Sequence, residues 1–266
     1  MTRPRYLYDL IVNSGWPLVK AAYRLGRRPV AGPLLRPLFS ARIHQAVILP
    51  VMEPVQIGQQ TPLPYTLLEH LVAQASARVI MDQCVCRVKE NCQAHSHSLG
   101  CLFLGEGARQ IHPSLGRLAD EQTVRAHMQQ AIAEGLVPMI THTVVDAVAL
   151  GIPFRQMLTV CFCCDCCCAI RQGLRTGPPA FWELVQRLPG LAVTVSDACE
   201  MCEQCVGVCP VGAISMDHDR AEIAEHCKGC GLCVQACPNG AIALRQSGGA
   251  DAQTDFMAAI GQRTKI

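Results

Sequence analysis

"CEMCEQCVGVCPVGAIS" (199–215) and "CKGCGLCVQACPNGAIA" (227–243) are the stretches from which the rest of the chain is read. Both run Cys-x2-Cys-x2-Cys-x3-Cys-Pro and then share Gly-Ala-Ile at the same offset, a tandem repeat with a period of 28 residues. A [4Fe–4S] cube presents four iron corners, each of which takes one thiolate. Three cysteines at three-residue intervals wrap a short loop around three corners. The fourth, just before proline, falls beyond easy reach of the same cube, and in the bacterial two-cluster arrangement it ligates the other cluster. The spacing therefore predicts one ligand set of Cys199, Cys202, Cys205 and Cys237, and a second of Cys227, Cys230, Cys233 and Cys209. Pro210 and Pro238 end the two ligand runs. Zinc ligands, by contrast, usually come as separated pairs.

On these residues the chain resembles the bacterial dicluster ferredoxins over about residues 191–245. The resemblance implies a small (βαβ)2-type module holding two [4Fe–4S] clusters. "LAVTV" (191–195) alternates as an edge strand does, and "AISM" and "AIAL" read as the short strands that follow each motif. The first loop departs from the second: it has "EQ" between Cys202 and Cys205 where the second has "GL". Glu203 beside a cluster would disfavour added electron density; the plainer reading points it into water.

The chain has 266 residues, 18 cysteines and a net charge of only +2, so no charge excess argues for a nucleic-acid partner. Its apolar runs fall short of the roughly 20 residues that a membrane helix needs. The basic N-terminus lacks a continuous apolar core and a clear cleavage site, so no signal peptide is expected. The expected compartment is cytoplasmic, where thiols stay reduced and cysteines at ligand spacing read as metal ligands.

Ten cysteines remain: Cys84, Cys86, Cys92 and Cys101, then Cys161, Cys163, Cys164, Cys166, Cys167 and Cys168 within "CFCCDCCC" (161–168). Neighbouring side chains point in different directions along any regular backbone. Some of the six must therefore face one site and some another, or stay as buried thiols. Two cubes would use eight of the ten, and one cube would use four. A cluster larger than a cube, or two linked cubes, would use more. The expectation is one or two further Fe–S clusters held by an unspecified subset, with iron as the metal. A zinc or copper site and a metallothionein-like cage are the other readings. Asp165, His95 and His97 are candidate non-thiolate ligands, although "HSHS" more often forms a solvated loop. Arg87, directly after Cys86, could donate to a cluster sulfide or sit on the surface.

"CVCR" (84–87), "GCLFLGEGAR" (100–109), "GLVPMITH" (135–142) and "CFCCDCCC" together resemble a group of poorly characterised Fe–S-binding proteins of anaerobic bacteria and archaea. The resemblance covers about residues 61–245. It implies Fe–S binding and redox work in anaerobic metabolism without naming a substrate.

The sequence divides into a basic N-terminal docking or packing segment (1–60), a Cys-rich cluster-binding domain (61–190), the ferredoxin domain (191–245) and a flexible tail (246–266). The fold class expected is α+β, with a mainly helical Cys-rich domain. Residues 1–42 carry eight Lys/Arg and one acid. Residues 5–28 read as an amphipathic helix broken near Ser14 and Gly15 and restarted at Pro17. That segment would pack on the core, or dock on a partner or an anionic membrane surface. A helix over 61–80 buries Leu67, Leu68, Leu71, Val72 and Ala75 on one face. Asp120 caps a helix over 121–134 that Gly135 ends. Residues 178–190 read as a short helix bounded by prolines, with Trp182 as a packing residue.

No nucleotide-binding glycine pattern and no catalytic serine arrangement stand out. The leading functional expectation is an electron-transfer protein that serves a partner redox enzyme or forms part of an oxidoreductase. The alternative is a reductase with an atypical Fe–S active site in the Cys-rich domain, fed by the ferredoxin module. A cluster carrier or metal store is the third. No catalytic residue is assigned.

Overall fold

The computed structural model describes residues 2–50, 55–56, 63–246 and 249–265. Its strands are β1 (His44–Ile48), β2 (Val55–Gln56), β3 (Arg78–Met81), β4 (Leu102–Leu104), β5 (Gly116–Leu118), β6 (Val137–Thr143), β7 (Leu158–Cys163), β8 (Val185–Gln186), β9 (Leu191–Val195), β10 (Ile214–Asp217), β11 (Arg220–Ile223) and β12 (Ile242–Gln246). Seven of them form one sheet in the order β5-β3-β4-β7-β6-β1-β8. Every neighbouring pair in it is antiparallel except β1 and β8. This corrects the expected mainly helical Cys-rich domain, which is a layered α/β structure. The sheet is covered on both faces, so its strands are apolar throughout and lose the alternation that marks a strand in sequence.

The two faces sort cleanly by residue parity. On one, Ile80, Leu102, Leu104, Ile140, Leu158, Val160 and Phe162 pack with Leu67, Leu68, Leu71, Val124 and Met128. The helices there are Leu63–Gln74 and Glu121–Ala133. On the other face, Val79, Met81, Phe103, Val137, Met139 and Cys163 meet residues of the helices Arg5–Gly26, Val144–Leu150 and Ala169–Thr176. The helix expected over 61–80 is present as Leu63–Gln74, with Thr61 and Pro62 of its proline-rich approach outside the described residues. Asp120 caps the next helix by accepting the Thr123 N–H at 2.7 Å.

Two expectations at the N-terminus change. Arg5–Gly26 is one continuous helix through Pro17, not two. Trp16 and Lys20 both reach Glu90, at 2.6 and 2.9 Å, and Tyr23 is buried among Phe39 and Phe181. Those contacts hold the helix against the loss of one backbone bond at an exposed proline. Leu10 and Leu18, read as part of the packing stripe, instead face solvent. At the other end, the expected flexible tail carries a helix, Gly249–Gly261, that buries Phe256 and Ile260.

The expected ferredoxin strands appear. β9 is an edge strand on β12, β2 adds to the other side of β12, and β10 pairs with β11. The repeat shows in the backbone as well. Gly229 and Gly231 have φ of 62° and 83°, and their counterparts 28 residues earlier, Met201 and Glu203, are forced to 55° and 59°. A left-handed conformation costs an L-residue with a side chain roughly 1–2 kcal/mol. Glu203 is exposed, as its plainer reading had it. Glu203→Gly is therefore expected to raise the stability of the loaded protein by up to about 1 kcal/mol. Anaerobic thermal denaturation reads this directly. A lowered midpoint would mean that the side chain contributes more than the strain it imposes.

Candidate metal centres

The structure divides the 18 cysteines into four groups, and the middle strand β7 does much of the sorting. Along it, Phe162 faces one layer while Cys161 and Cys163 face the other. The antiparallel register that pairs Leu102 with Val160 brings Cys101 opposite Cys161, and their sulfurs lie 3.6 Å apart. Cys84 is hydrogen-bonded to both Cys101 and Cys86. Cys163 is hydrogen-bonded to Cys161 and lies 3.1 Å from Cys168. Cys168 in turn lies close enough to Cys86 for their charges to interact. Cys84, Cys86, Cys101, Cys161, Cys163 and Cys168 thus form a closed ring of six thiols.

Beyond β7 the chain enters a turn at Asp165–Cys167. That turn sends Cys164, Cys166 and Cys167 to the opposite layer, where they meet Cys92. The four sulfurs all lie within 4.8 Å of one another. The adjacent cysteines of 161–168 therefore do face two different places. Neither His95 nor His97 belongs to the four-sulfur group; His97 holds the Cys92 carbonyl at 3.0 Å. Asp165, the other candidate ligand, is turned away and paired with Arg171 at 2.8 Å and with Arg175.

In the C-terminal module, Cys199, Cys202, Cys205 and Cys237 line one cleft together with Met216 and Ile242. Cys209, Cys227 and Cys230 surround Cys233 closely enough for their charges to act on it. The shared Gly-Ala-Ile has a visible role. The N–H of Ala213 donates to Cys209 Sγ at 3.2 Å, and the N–H of Ala241 donates to Cys237 Sγ at 3.3 Å. Amides aimed at sulfur stabilise thiolate over thiol and orient it.

Two fully buried arginines stand between groups, which the sequence had left undecided for Arg87 and did not single out for Arg171. Arg87 donates to the carbonyls of Ser96 at 2.7 Å, Phe162 at 2.8 Å and Leu99. It also neighbours Cys84 and Cys101 of the ring and Cys164 of the four-sulfur group. Its surface reading is thus replaced by an interior one. Arg171 neighbours Cys163 and Cys168 of the ring and Cys230 of the C-terminal module. Its Nη1 binds Asp165, while its Nε and Nη2 are buried with no protein partner among the described residues. The signal for Arg171 was its place on the helix that Cys168 opens, one turn from the cysteine run.

The ring has polar company. Asp146 lies beside Cys161 and accepts a hydrogen bond from Thr159, and burial first and that sulfur second push its carboxyl up to about 7. Tyr8 of the first helix lies near Cys101 and Cys86, and burial raises its phenol well above the usual range.

Residues 192–238 match the family model described as "4Fe-4S dicluster domain". No curated protein and no solved structure matches the chain. The C-terminal module is accordingly an iron–sulfur domain, and the donor sets fit such clusters: thiolate sulfur, protected by backbone amides, around a cleft. No helix among the described residues is long and apolar enough to cross a membrane.

Removing the Arg87 guanidinium strands three buried carbonyls. Arg87→Met is expected to cost about 3 kcal/mol or more. Arg117→Gln, at an exposed pair with Asp82, is expected to stay within about 0.5 kcal/mol. Urea unfolding of the two variants makes the comparison, and equal effects would contradict the interior role of Arg87.

Proposed function

We propose that this chain is a multi-cluster iron–sulfur electron-transfer protein that relays single electrons to or from a partner redox enzyme. Its cube ligands are Cys199, Cys202, Cys205 and Cys237, then Cys227, Cys230, Cys233 and Cys209. The six-thiol ring is the further cluster site. Iron–sulfur clusters held there supply one-electron storage and transfer.

The observation that carries this reading is Arg171. A guanidinium buried with two unpaired N–H-bearing nitrogens needs anionic acceptors. Its surroundings are thiols of the ring on one side and Cys230 on the other. The same apolar cluster that buries Cys163 and Cys168 also takes in Val211 and Ala213 and is packed by Cys209, Cys227 and Cys230. The ring and the second ferredoxin set thus share one dry interior, which suits transfer between neighbouring sites.

Two surfaces support docking. An open groove of about 700 Å³, between Asp165 and Arg175 on one wall and Val208 and Leu232 on the other, reaches Cys209. On the first helix and its continuation, Tyr6, Leu10, Leu18, Leu25 and Leu34 are exposed in a stripe beside the basic residues Arg24, Arg27 and Arg28. That stripe suits a redox partner protein. Six converging thiols exceed what one cube uses, and this surplus favours a second reading: a reductase with an atypical cluster in the ring, fed by the ferredoxin module.

Protein purified anaerobically is expected to contain more iron and sulfide than two cubes hold. Cys161→Ser is expected to lose the excess and keep the ferredoxin signals in electron paramagnetic resonance. A wild-type count matching two cubes would end the proposal. Arg171→Gln removes a positive charge that favours the reduced state. It is expected to lower the potential of an adjacent cluster by tens of mV, since a charge at such range acts on the order of 1 kcal/mol. A redox titration giving an unchanged potential would remove Arg171 from the path. A substrate-dependent signal would favour the reductase.

A further inference from the structure

The four-sulfur group differs in kind from the other three. We propose that Cys92, Cys164, Cys166 and Cys167 bind one tetrahedrally coordinated thiophilic metal ion, zinc or a single iron, and no cube. A metal–sulfur bond of about 2.3 Å with tetrahedral angles places thiolate sulfurs about 3.8 Å apart. Cys92 Sγ and Cys166 Sγ lie 3.7 Å apart, and all four sulfurs fall within 4.8 Å of one another. A cube holds its thiolates wider, because two irons stand between any two of them.

The C-terminal module offers an internal comparison. There the thiols are spread around a cleft. Among the described residues, the sulfur-to-sulfur hydrogen-bond contacts that we find all join cysteines of the N-terminal portion. The same polypeptide thus spaces its cube ligands apart and closes this group onto a point.

The surroundings suit a tetrathiolate. Four thiolates around a divalent ion leave a net charge of −2, and Cys92, Cys164 and Cys167 are buried. The N–H groups of Ala94 and His95 donate to Cys92 Sγ, and that of Cys167 donates to Cys164 Sγ. Arg87 adds a cation and a side-chain hydrogen bond to Cys164. Such donors are what holds metal-bound thiolates in orientation. Tetrahedral coordination by four sulfurs selects zinc or iron over harder metals. Cys166 is exposed, which gives the ion a way in.

The site also has a mechanical consequence. It ties the loop after Val85–Lys89 to the turn that joins β7 to the helix Ala169–Thr176. Both connections carry ring cysteines: Cys84 and Cys86 precede the first, and Cys163 and Cys168 flank the second. The ion would brace the ring without belonging to it.

Full-length protein purified anaerobically is the material for the test, with zinc, iron and acid-labile sulfide counted together. The expected result is one metal equivalent per chain with no matching sulfide. X-ray absorption at the edge of that metal should show four sulfur neighbours at about 2.3 Å and no metal neighbour. Zinc identifies itself at its own edge, and a single iron gives an isolated high-spin ferric signal on mild oxidation. Cys166→Ser, at the exposed position, should lose that equivalent while sulfide stays constant. Loss of iron and sulfide together would mean a cube. A full metal complement with no tetrathiolate spectrum in the wild type would mean plain thiols. Either result overturns the proposal, and the wild-type spectrum decides even if the variant does not fold.

Discussion

Buried positive charge among sulfur is the constraint around which this structure is arranged. A guanidinium withdrawn from water needs every donor answered, or an anion close by. Arg87 answers its donors with the carbonyls of Ser96, Phe162 and Leu99, which fixes the loop between Cys92 and Cys101 against the central strand. Arg171 leaves two nitrogens unanswered by protein at the seam with the C-terminal module. Each arginine therefore separates two groups of thiols that would repel one another as thiolates. The resulting order runs from the four-sulfur group past Arg87 to the ring, then past Arg171 to Cys230 and its neighbours.

The seven-stranded sheet makes that order possible. β7 lies at its centre, and its alternation sends Cys161 and Cys163 to one face while the turn after it sends Cys164, Cys166 and Cys167 to the other. A helix through 161–168 would have scattered the six around its circumference. The strand and turn instead deliver them in two bundles, each completed by cysteines from 84–101. Packing then seals the ring: the first helix lays Tyr8 and Tyr23 over it, and Phe181 and Val211 close the side toward the ferredoxin module.

Much of the C-terminal module was legible in advance. The repeat, the strands at 191–195, 214–217 and 242–246, and the placing of Cys237 beside Cys199, Cys202 and Cys205 all follow from spacing. The helices at 63–74 and 121–133 were legible because each buries only one stripe. The large sheet was not. Its strands are buried on both faces, so runs such as Val137–Thr143 read as apolar without a period. Pro17 was read as a break, because the hydrogen bonds to Glu90 that hold the helix across it come from 70 and 74 residues away.

By itself the sequence determined that this chain binds metal through cysteine, and which eight thiols make the C-terminal pair, since there each ligand loop is local and spacing is geometry. The grouping of the other ten was decided by tertiary structure alone. Cys92 and Cys166 are 74 residues apart, and Cys101 and Cys161 are 60 apart. Which sulfur meets which across such distances depends on strand register and on the face each side chain takes, and a register shift of one residue would have exchanged the two sets.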